Sequence, residues 1–306
     1  MAADLDLRLL RMFETLARVG SFTRASKILN VTQSAVSHGM KRLEEQVKCP
    51  LLSRKGKSLQ LTPEGRIFHT QTLRVLEAVE RAADSVTGRY SEGKGTLSVA
   101  LSTSVAHLLL APVLREFRES YPRISVVIRL EDSRRAIQEV EEGRCDLAVA
   151  IQDSESKSLK AHALFQDRLH FILSPLHPWG KKERIPATEM SQEHFLLYQR
   201  HSVTFAMAED FFLKAGVRLG SYVEIPSFEI MKQLARLGLG IALMAPWVAE
   251  KELAEGSLVA RPLPKFPVRR RWAVVHQSAR ELRQAESTFI GLCKIACRTA
   301  NNPWMD

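Results

Sequence analysis

The pattern of the chain changes at residues 88–95 (GRYSEGKG), a short polar stretch that contains three glycines. Before this stretch, apolar residues recur at the spacing of helices, with one short hairpin near residue 56. After it, strand-like apolar runs alternate with helical patterns. We therefore predict a small helical domain, a linker and an α/β portion. A chain of 306 residues is long enough for two or three such domains.

The helical portion contains two helices separated by a tight turn. Apolar spacing predicts helices over 5–19, 22–29 and 33–47, with Ser21 and Thr32 as caps of the second and third. The third helix keeps its apolar residues on one side and carries polar residues along its N-terminal half on the other. These polar residues are Gln33, Ser34, Ser37, His38 and Lys41. Such an arrangement is typical of a helix-turn-helix that reads DNA.

A basic hairpin and a long helix follow. The stretch 51–62 (LLSRKGKSLQLT) predicts two short strands around the tip Lys55-Gly56-Lys57, which is the pattern of a wing. Thr62-Pro63-Glu64 is a strong helix start, and we expect the helix to run to about Val86. Its apolar stripe is longer than the small domain can cover, so we expect a second copy of the chain to cover it. The stripe consists of Phe68, Leu76, Val79, Ala83 and Val86.

The positive charge is concentrated in the helical portion. The chain carries a net charge of +10, and residues 1–62 hold eleven Lys or Arg against five Asp or Glu, a balance of +6. Excess positive charge beside a helix-turn-helix favours DNA as the partner. Gln, Ser and Lys on the third helix suit contacts to bases, whereas Arg54 and Lys55 of the wing suit phosphate contacts. The alternative is a polar helix face that only meets solvent.

The α/β portion predicts two lobes crossed twice by the chain, which together form a hinged clamp. Continuous apolar runs such as CDLAVAI (145–151) are typical of strands buried on both faces. Polar residues follow several strands where helices begin, and doubly wound sheets bind ligands at such corners. These candidate ligand contacts are Ser102, Thr103 and Ser104, then Gln199, Arg200, His201, Ser202 and Thr204, and finally Ser227. Helix N-termini there favour an anion; alternatively, these Ser and Thr residues only cap helices.

Catalytic, metal and redox motifs are weak in this sequence. Ser154 and Lys157 match S-x-x-K inside a polar loop, and the glycine pair at 238 and 240 precedes a strand instead of following one. Cys293 and Cys297 lie four residues apart, with no third ligand nearby, and we interpret them as small core residues. We predict no catalytic residue, no metal site and no cofactor. The first residues lack a signal-peptide pattern and no apolar run has membrane length, so we expect a cytoplasmic protein that does not enter the membrane.

Two stretches resemble the LysR-type transcriptional regulators. GSFTRASKILNVTQSAVSHGMKRLEEQV followed by LLSRKGKSLQLTPEG is similar to the DNA-binding signature of that family, and FEIMKQLARLGLGIALMAPWVA is similar to its second-lobe motif. The resemblance implies a winged helix-turn-helix, a long linker helix and a two-lobed α/β effector domain of the type II periplasmic-binding-protein kind. It also implies a homodimer or homotetramer, an imperfect inverted repeat in promoter DNA, a small-molecule effector and contact with RNA polymerase.

The resemblance also implies domain boundaries. The DNA-binding domain would span 1–62, the linker and dimerisation helix with its hinge 63–94, and the effector-binding domain 95–306. Within the last, lobe 1 would comprise about 95–168 and 268–306, and lobe 2 about 169–267.

The chain departs from the family pattern at four positions. Ser26, Cys49 and Leu52 stand where the family favours Ala, Gly and Phe, and His201 stands where many members have Gly beside the effector. Because Pro50 favours extended geometry at Cys49, the turn after the third helix has to close differently from a glycine turn.

Two other classes of function remain open on the sequence alone. A solute-binding or sensor module of the periplasmic type shares the two-lobed clamp but does not account for the N-terminal third. An α/β enzyme shares the alternation of strands and helices but lacks a catalytic constellation. Some LysR-type regulators sense peroxide through a cysteine pair in the second lobe, and the lack of any cysteine between Cys145 and Cys293 argues against that here. The sequence identifies neither the effector nor the target genes, nor whether the protein activates or represses.

Overall fold

The computed structural model describes residues 5–55, 58–87, 94–152, 156–182, 185–300 and 302–305. The side chains of residues 54, 55, 58, 77, 80, 81, 84–87 and 94 lie outside the description. So do most of the predicted linker at 88–95, the tip of the predicted wing at 56–57, and Ser154. The chain divides into two compact units, residues 1–88 and 89–306.

The first unit is helical with one hairpin. Its elements are α1 (Leu7–Val19), α2 (Phe22–Leu29), α3 (Gln33–Val47), β1 (Leu52–Lys55), β2 (Ser58–Leu61) and α4 (Pro63–Thr87). The hydroxyl of Ser21 accepts a hydrogen bond from the first turn of α2, and that of Thr32 does the same for α3. Gly20 and Asn30 end α1 and α2 in the left-handed conformation. Local capping therefore defines the helix-turn-helix.

The turn after α3 closes without a glycine. Lys48 adopts the left-handed conformation, with φ of +57°. The carboxylate of Glu44 then accepts the backbone N–H groups of Leu51 at 2.7 Å and Leu52 at 3.1 Å. Lys48 thus takes the left-handed conformation that a glycine would otherwise supply, and the two bonds from Glu44 fix the start of the hairpin.

Helix α4 contributes to the core of its own unit, which corrects part of the predicted partner-facing stripe. Phe68 and Leu76 are partly buried against the core cluster of α1–α3, and the rings of Phe13 and Phe68 lie 5.5 Å apart. The prediction failed because helical spacing identifies an apolar face but not the surface that it meets. Among the described side chains of α4, the large apolar ones left open to a partner are Ile67 (68% exposed), Leu73 (39%) and Val75 (42%).

The second unit contains two five-stranded sheets with helices packed on them. Its strands are β3 (Lys94–Leu101), β4 (Arg123–Leu130), β5 (Leu147–Ile151), β6 (Leu159–Arg168), β7 (His170–Leu173), β8 (His194–Leu197), β9 (Ser221–Glu224), β10 (Ile241–Met244), β11 (Val259–Pro262) and β12 (Arg269–Gln277). Its α-helices are α5 (Thr103–Ser120), α6 (Ser133–Glu141), α7 (Ala187–Met190), α8 (Val203–Lys214), α9 (Phe228–Arg236), α10 (Glu250–Ala254) and α11 (Gln284–Thr299), and 3-10 turns span Pro178–Lys181 and Pro246–Ala249.

The order of strands explains how the chain crosses between the sheets. The first sheet has the order β4-β3-β5-β12-β6, with β3 parallel to β4 and β5 and with β12 antiparallel to both of its neighbours. The second has the order β11-β7-β10-β8-β9. The chain leaves the first sheet after β6 and returns to it at β12. Each sheet with its helices is called a lobe below. The end of β6 and the start of β12, paired at Arg168 and Arg269, are where the chain crosses between the lobes and are called the hinge.

Two edge strands were not predicted from the sequence. Strand β6 exposes many of its residues, and its sequence LKAHALFQDR has no continuous apolar run. Strand β11 ends in Pro262, which is tolerated only at an edge. Both strands lie at the edge of a sheet, where burial on two faces is not required and the apolar signal is correspondingly weak.

The last helix closes the core of the first lobe. Cys293 and Cys297 of α11 are buried in that core, and burial raises the pKa of the Cys297 thiol to about 12. Burial also raises the pKa of the Cys293 thiol. Thiols of this kind stay protonated and unreactive, in agreement with the predicted core role. Among the helices that the structure describes, none combines the length and apolar character of a membrane span.

Candidate nucleic-acid interface and ligand cleft

Helix α3 presents the predicted polar face to solvent. Gln33, Ser34, Ser37, His38 and Lys41 are all exposed, while the opposite side of the helix is buried in the core of the unit. A reading helix needs this arrangement, because side chains reach base edges only from an uncovered face. Helix α3 is therefore the candidate DNA-contacting element of this unit.

Two contacts orient the start of this face. The hydroxyl of Thr32 accepts the N–H of Ala35 at 3.2 Å and so caps α3. The hydroxyl of Thr23, on α2, donates to the side-chain oxygen of Gln33 at 3.2 Å. This bond leaves the amide N–H₂ of Gln33 available to a partner. The first helix of the motif therefore positions the first residue of the second.

Gly39 lies at the contact between α1 and α3. A Cβ atom at this position would stand 2.7 Å from the sulfur of Met12 and 3.2 Å from a methyl carbon of Leu9. The glycine in the middle of α3 thus allows close packing of the two helices. In the hairpin, Arg54 and Lys55 are the last residues of β1, and their side chains lie outside the described part of the chain.

The second unit contains two adjoining cavities between its lobes, here together called the cleft. The larger, of about 220 Å³, lies between the start of α5, the start of α9 and the 3-10 turn at Pro246–Ala249. The smaller, of about 20 Å³, lies where α5, α6 and α8 begin. Ser104 and Phe228 line both. Residues from both lobes therefore line both cavities, which adjoin at these two side chains.

Most of the predicted contacts line the cleft, and some do not. Thr103, Ser104 and Ser227 line the larger cavity, and Ser102, Ser104, Ser202 and Thr204 line the smaller one. Gln199, Arg200 and His201 line neither of these two cavities. The backbone N–H of Arg200 donates to Glu224 at 2.8 Å, and its guanidinium donates to the hydroxyl of Tyr222. The guanidinium is therefore held by lobe 2 itself.

The hydroxyls at the helix starts have different tasks. Ser202 and Ser227 cap α8 and α9 by accepting the N–H groups of Phe205 and Ile230. Ser102 occupies the corresponding position of α5, but its side chain makes no capping bond and lies 3.3 Å from the hydroxyl of Ser104. Ser202 and Ser227 thus act as helix caps, which was the alternative to ligand contact, whereas the hydroxyl of Ser102 does not cap its helix.

Tyr198 and Thr103 face each other across the cleft, one from each lobe. Tyr198, which follows β8, shares a hydrogen bond with the side chain of Thr103 at the start of α5. Burial raises the pKa of Tyr198, so the phenol stays neutral and able to donate. Its ring stacks on Phe228, with centroids 4.3 Å apart and planes 6° from parallel. A hydroxyl pair between the lobes is well placed to respond to a ligand that enters between them.

A buried ion pair lies beneath the cleft at the hinge. The carboxylate of Asp167, on β6, accepts two hydrogen bonds from Arg270 of β12, at 2.7 and 2.6 Å. It also accepts the indole N–H groups of Trp247 at 2.7 Å and Trp272 at 2.9 Å. Arg270 donates a further bond to the hydroxyl of Thr204, at 3.0 Å. The hydroxyl of Thr204 is therefore committed to the hinge, although the residue lines the cleft.

Sequence reasoning missed several residues of the cleft. Asp132 and Ser133 start α6 at the smaller cavity, and the rule that found Ser102 would have found them, because they also follow a strand. No local signal pointed to Asp167 and Arg270, which lie 103 positions apart. Within the described residues, no group of three or more His, Cys, Asp or Glu is arranged to hold a metal ion.

This protein combines a winged helix-turn-helix unit with a two-lobed α/β unit that contains a cleft. That combination defines a class of DNA-binding proteins that also have a domain for binding a small molecule. Two family models match this chain: "Bacterial regulatory helix-turn-helix protein, lysR family" over residues 7–66, and "LysR substrate binding domain" over residues 91–298. The chain belongs to the LysR family, and it is a DNA-binding transcriptional regulator, not an enzyme. The predicted fold class and family are confirmed.

Relatives of known role match over nearly the whole chain. The RuBisCO operon transcriptional regulator of Allochromatium vinosum is 29% identical, covering 93% of this chain and 94% of its own. The transcriptional activator CmpR of Synechocystis sp. is 25% identical, with 91% of each chain covered. Among solved structures, full-length CbnR complexed with its target DNA is similar, with a TM-score of 0.67, 18% identity, and 95% of this chain and 100% of that chain covered. The structural likeness shows the fold alone.

Proposed function

We propose that this regulator binds an imperfect inverted repeat in promoter DNA as a homodimer or homotetramer, and that a small anionic molecule in the cleft switches it. The open face of α3 supports the DNA contact. Full-length CbnR, a protein of this fold, has been solved in complex with its target DNA. Exposed apolar side chains on α4 support self-association. A transcriptional regulator works where the chromosome and RNA polymerase are, which supports a cytoplasmic location and a contact with the polymerase.

In this proposal each predicted domain has its own function. Residues 1–62 contact DNA, residues 63–94 join two copies of the chain, and residues 95–306 bind the effector. In the last part, lobe 1 corresponds to about 95–168 and 268–306, and lobe 2 to about 169–267.

The observation that best supports the proposed ligand switch is the arrangement of hydroxyl groups at the start of α5. The hydroxyl of Ser102 does not cap its own helix, and the next residue, Thr103, reaches across to Tyr198 in the other lobe. The first N–H groups of a helix attract an anion, and a hydroxyl that the helix does not use adds a donor. A ligand shifts the equilibrium between open and closed lobes only by contacts that differ between the two. The bond between Thr103 and Tyr198 is such a contact.

The DNA contact is tested by selecting binding sites from random duplexes and comparing two variants on the selected site. Gln33→Ala removes a base-reading amide, so it should cost about 1–3 kcal/mol on that site and relax the choice of base at one position. Arg54→Ala removes a phosphate contact, so it should weaken all duplexes alike and lower the salt slope by about one unit. If both variants showed the same sequence-independent loss, α3 would not be the reading helix.

The switch is tested with Thr103→Val, which keeps the size of the side chain and removes the hydroxyl. We expect effector binding to weaken by about 1–2 kcal/mol, the usual cost of one lost buried hydrogen bond. DNA affinity without effector should stay at the wild-type value. Calorimetry with organic acids and sugar phosphates on both proteins measures the difference. Equal binding of the same effector by wild type and Thr103→Val would place the site elsewhere.

A further inference from the structure

The charges that line the cleft are opposite to those of the chain as a whole. The protein has 44 Lys and Arg against 34 Asp and Glu. Yet among the described residues that line the two cavities there is no Lys or Arg, while Asp132 lines the smaller cavity and Glu229 and Glu250 line the larger one. His107 also lines the larger cavity, and it is cationic only when protonated. The lining therefore offers a ligand negative charge.

The nearby cations are engaged with other groups. The guanidinium of Arg200 donates to Tyr222 and lies over the ring of Phe205, 5.8 Å from its centroid. Lys232 is buried and pairs with Glu229 and Glu252, each at 2.9 Å. Glu229 is thus partly neutralised. The carboxylate of Asp132 caps α6 by accepting the N–H of Arg134 at 2.8 Å, and Glu250 lies in the first turn of α10. Neither role requires a cation, so both carboxylates present negative charge to the cleft.

Aromatic rings form the other part of the lining. Phe228 lines both cavities and is backed by the stacked ring of Tyr198. Trp247 lines the larger cavity and Trp272 the smaller one. The faces of such rings attract ammonium and quaternary ammonium groups, the more so where water is excluded. Rings and carboxylates together, without a competing Lys or Arg, are the lining that a bound amine requires.

On the proposed function, in which the cleft holds the effector, we infer that the effector carries a positively charged amine or quaternary ammonium group in addition to its anionic end. The cationic group lies against Phe228 and Trp247 in the larger cavity, on the side of Glu250. The anionic end faces the start of α5, where the hydroxyls of Ser102 and Ser104 and the first N–H groups of the helix are found. The effector class is therefore a small zwitterion, such as an amino acid or a betaine, which keeps the anionic group of the proposed function and adds a cationic one.

Matched pairs of compounds test the cationic group on the full-length protein. Glycine betaine is paired with 3,3-dimethylbutanoate, which has the same shape and carboxylate but no positive charge, and each amino acid is paired with its 2-hydroxy acid. Thermal shift identifies the members that bind, and calorimetry measures their affinity. We expect at least one zwitterion to bind tenfold or more tightly than its partner. If the partners bound as tightly, or if only acids without an amine bound, the inference would be wrong and the proposed function would stand. If no zwitterion bound while an organic acid or a sugar phosphate did, the inference alone would be contradicted.

Two variants locate the cationic group. Glu250→Gln and Asp132→Asn each remove one negative charge, and Asn caps a helix as well as Asp does, so α6 should persist. Glu255→Gln is the control, because Glu255 lies at the end of the same helix α10, outside both cavities, beside Lys251. We expect Glu250→Gln to weaken the zwitterion about tenfold, the scale of one charge contact at a partly solvated site, and Asp132→Asn to weaken it in the same direction. The uncharged partner compound should be unaffected.

Urea unfolding followed by tryptophan fluorescence checks that each variant is folded, because all four tryptophans lie in the second unit, which contains the cleft. A loss of zwitterion affinity in Glu255→Gln as large as that in Glu250→Gln would mean that the general field of the protein is responsible, and would overturn the assignment to the cleft. Unchanged affinity in both Glu250→Gln and Asp132→Asn would overturn it as well. A failure of Thr103→Val to affect any ligand contradicts the effector site itself, which separates the two proposals.

Discussion

The buried ion pair at the hinge makes a quantitative prediction. Asp167→Asn preserves the shape of the side chain but removes its charge and replaces one accepting oxygen with an N–H₂ group. Asp167 accepts two bonds from Arg270 and one each from Trp247 and Trp272, so at least one of these donors then faces another donor. The side chain of Arg270 is 2% exposed, and its charge would remain buried without a counter-charge.

The expected cost follows from that burial. Removing one partner of a buried ion pair costs about 3–5 kcal/mol, mostly because the other charge stays desolvated. This is a large part of the roughly 5–15 kcal/mol by which domains are stable. Adding Arg270→Met to Asp167→Asn removes the stranded charge, so the double variant should regain part of the loss. The surface pair Arg115–Glu116 provides the control, because its side chains are 73% and 46% exposed, and Glu116→Gln should change stability by about 1 kcal/mol or less.

Urea unfolding followed by tryptophan fluorescence measures these differences. All four tryptophans lie in the second unit, so the signal reports the unit that contains the hinge. A loss below about 1 kcal/mol in Asp167→Asn, or a double variant as unstable as the sum of the two single ones, would show that the pair does not stabilise the hinge in the way described.

Two further predictions concern assembly and pH. Ile67→Asp should weaken self-association in sedimentation experiments while α4 stays folded, because Ile67 is 68% exposed and a carboxylate at an apolar interface is costly. Leu76→Asp should instead unfold the first unit, since Leu76 packs on its core. An assembly unaffected by Ile67→Asp would exclude this face of α4 as the interface. Burial first, and then nearby positive charge, lowers the pKa of His162 and of His276 from 6.5. The unfolded chain therefore takes up protons more readily than the folded one, so the contribution of these histidines to stability is present above pH 6.5 and is lost as the pH falls below it. Urea midpoints of the second unit that stay constant down to about pH 5.5 would contradict this.

Local signals in the sequence predicted most of the elements. Helices α2 and α3 begin and end where the capping residues indicated. The strand-to-helix corners at Ser102 and Ser202 line the smaller cavity of the cleft. Edge strands β6 and β11 were missed, because half-exposed strands lack the apolar run that marks a buried one. The contacts of individual side chains were predicted less well than the elements that carry them.

The sequence by itself determined what depends on neighbours within a few residues: the caps of α2 and α3, the polar face from Gln33 to Lys41, and the family. Helical spacing and capping act over one or two turns, so the chain displays them directly. Only the tertiary structure decided which surface covers Phe68, where Arg200 is held, and that Asp167 meets Arg270. These contacts join residues far apart in the chain, and they exist only because the register of β6 on β12 and the packing of α4 on α1 bring the side chains together.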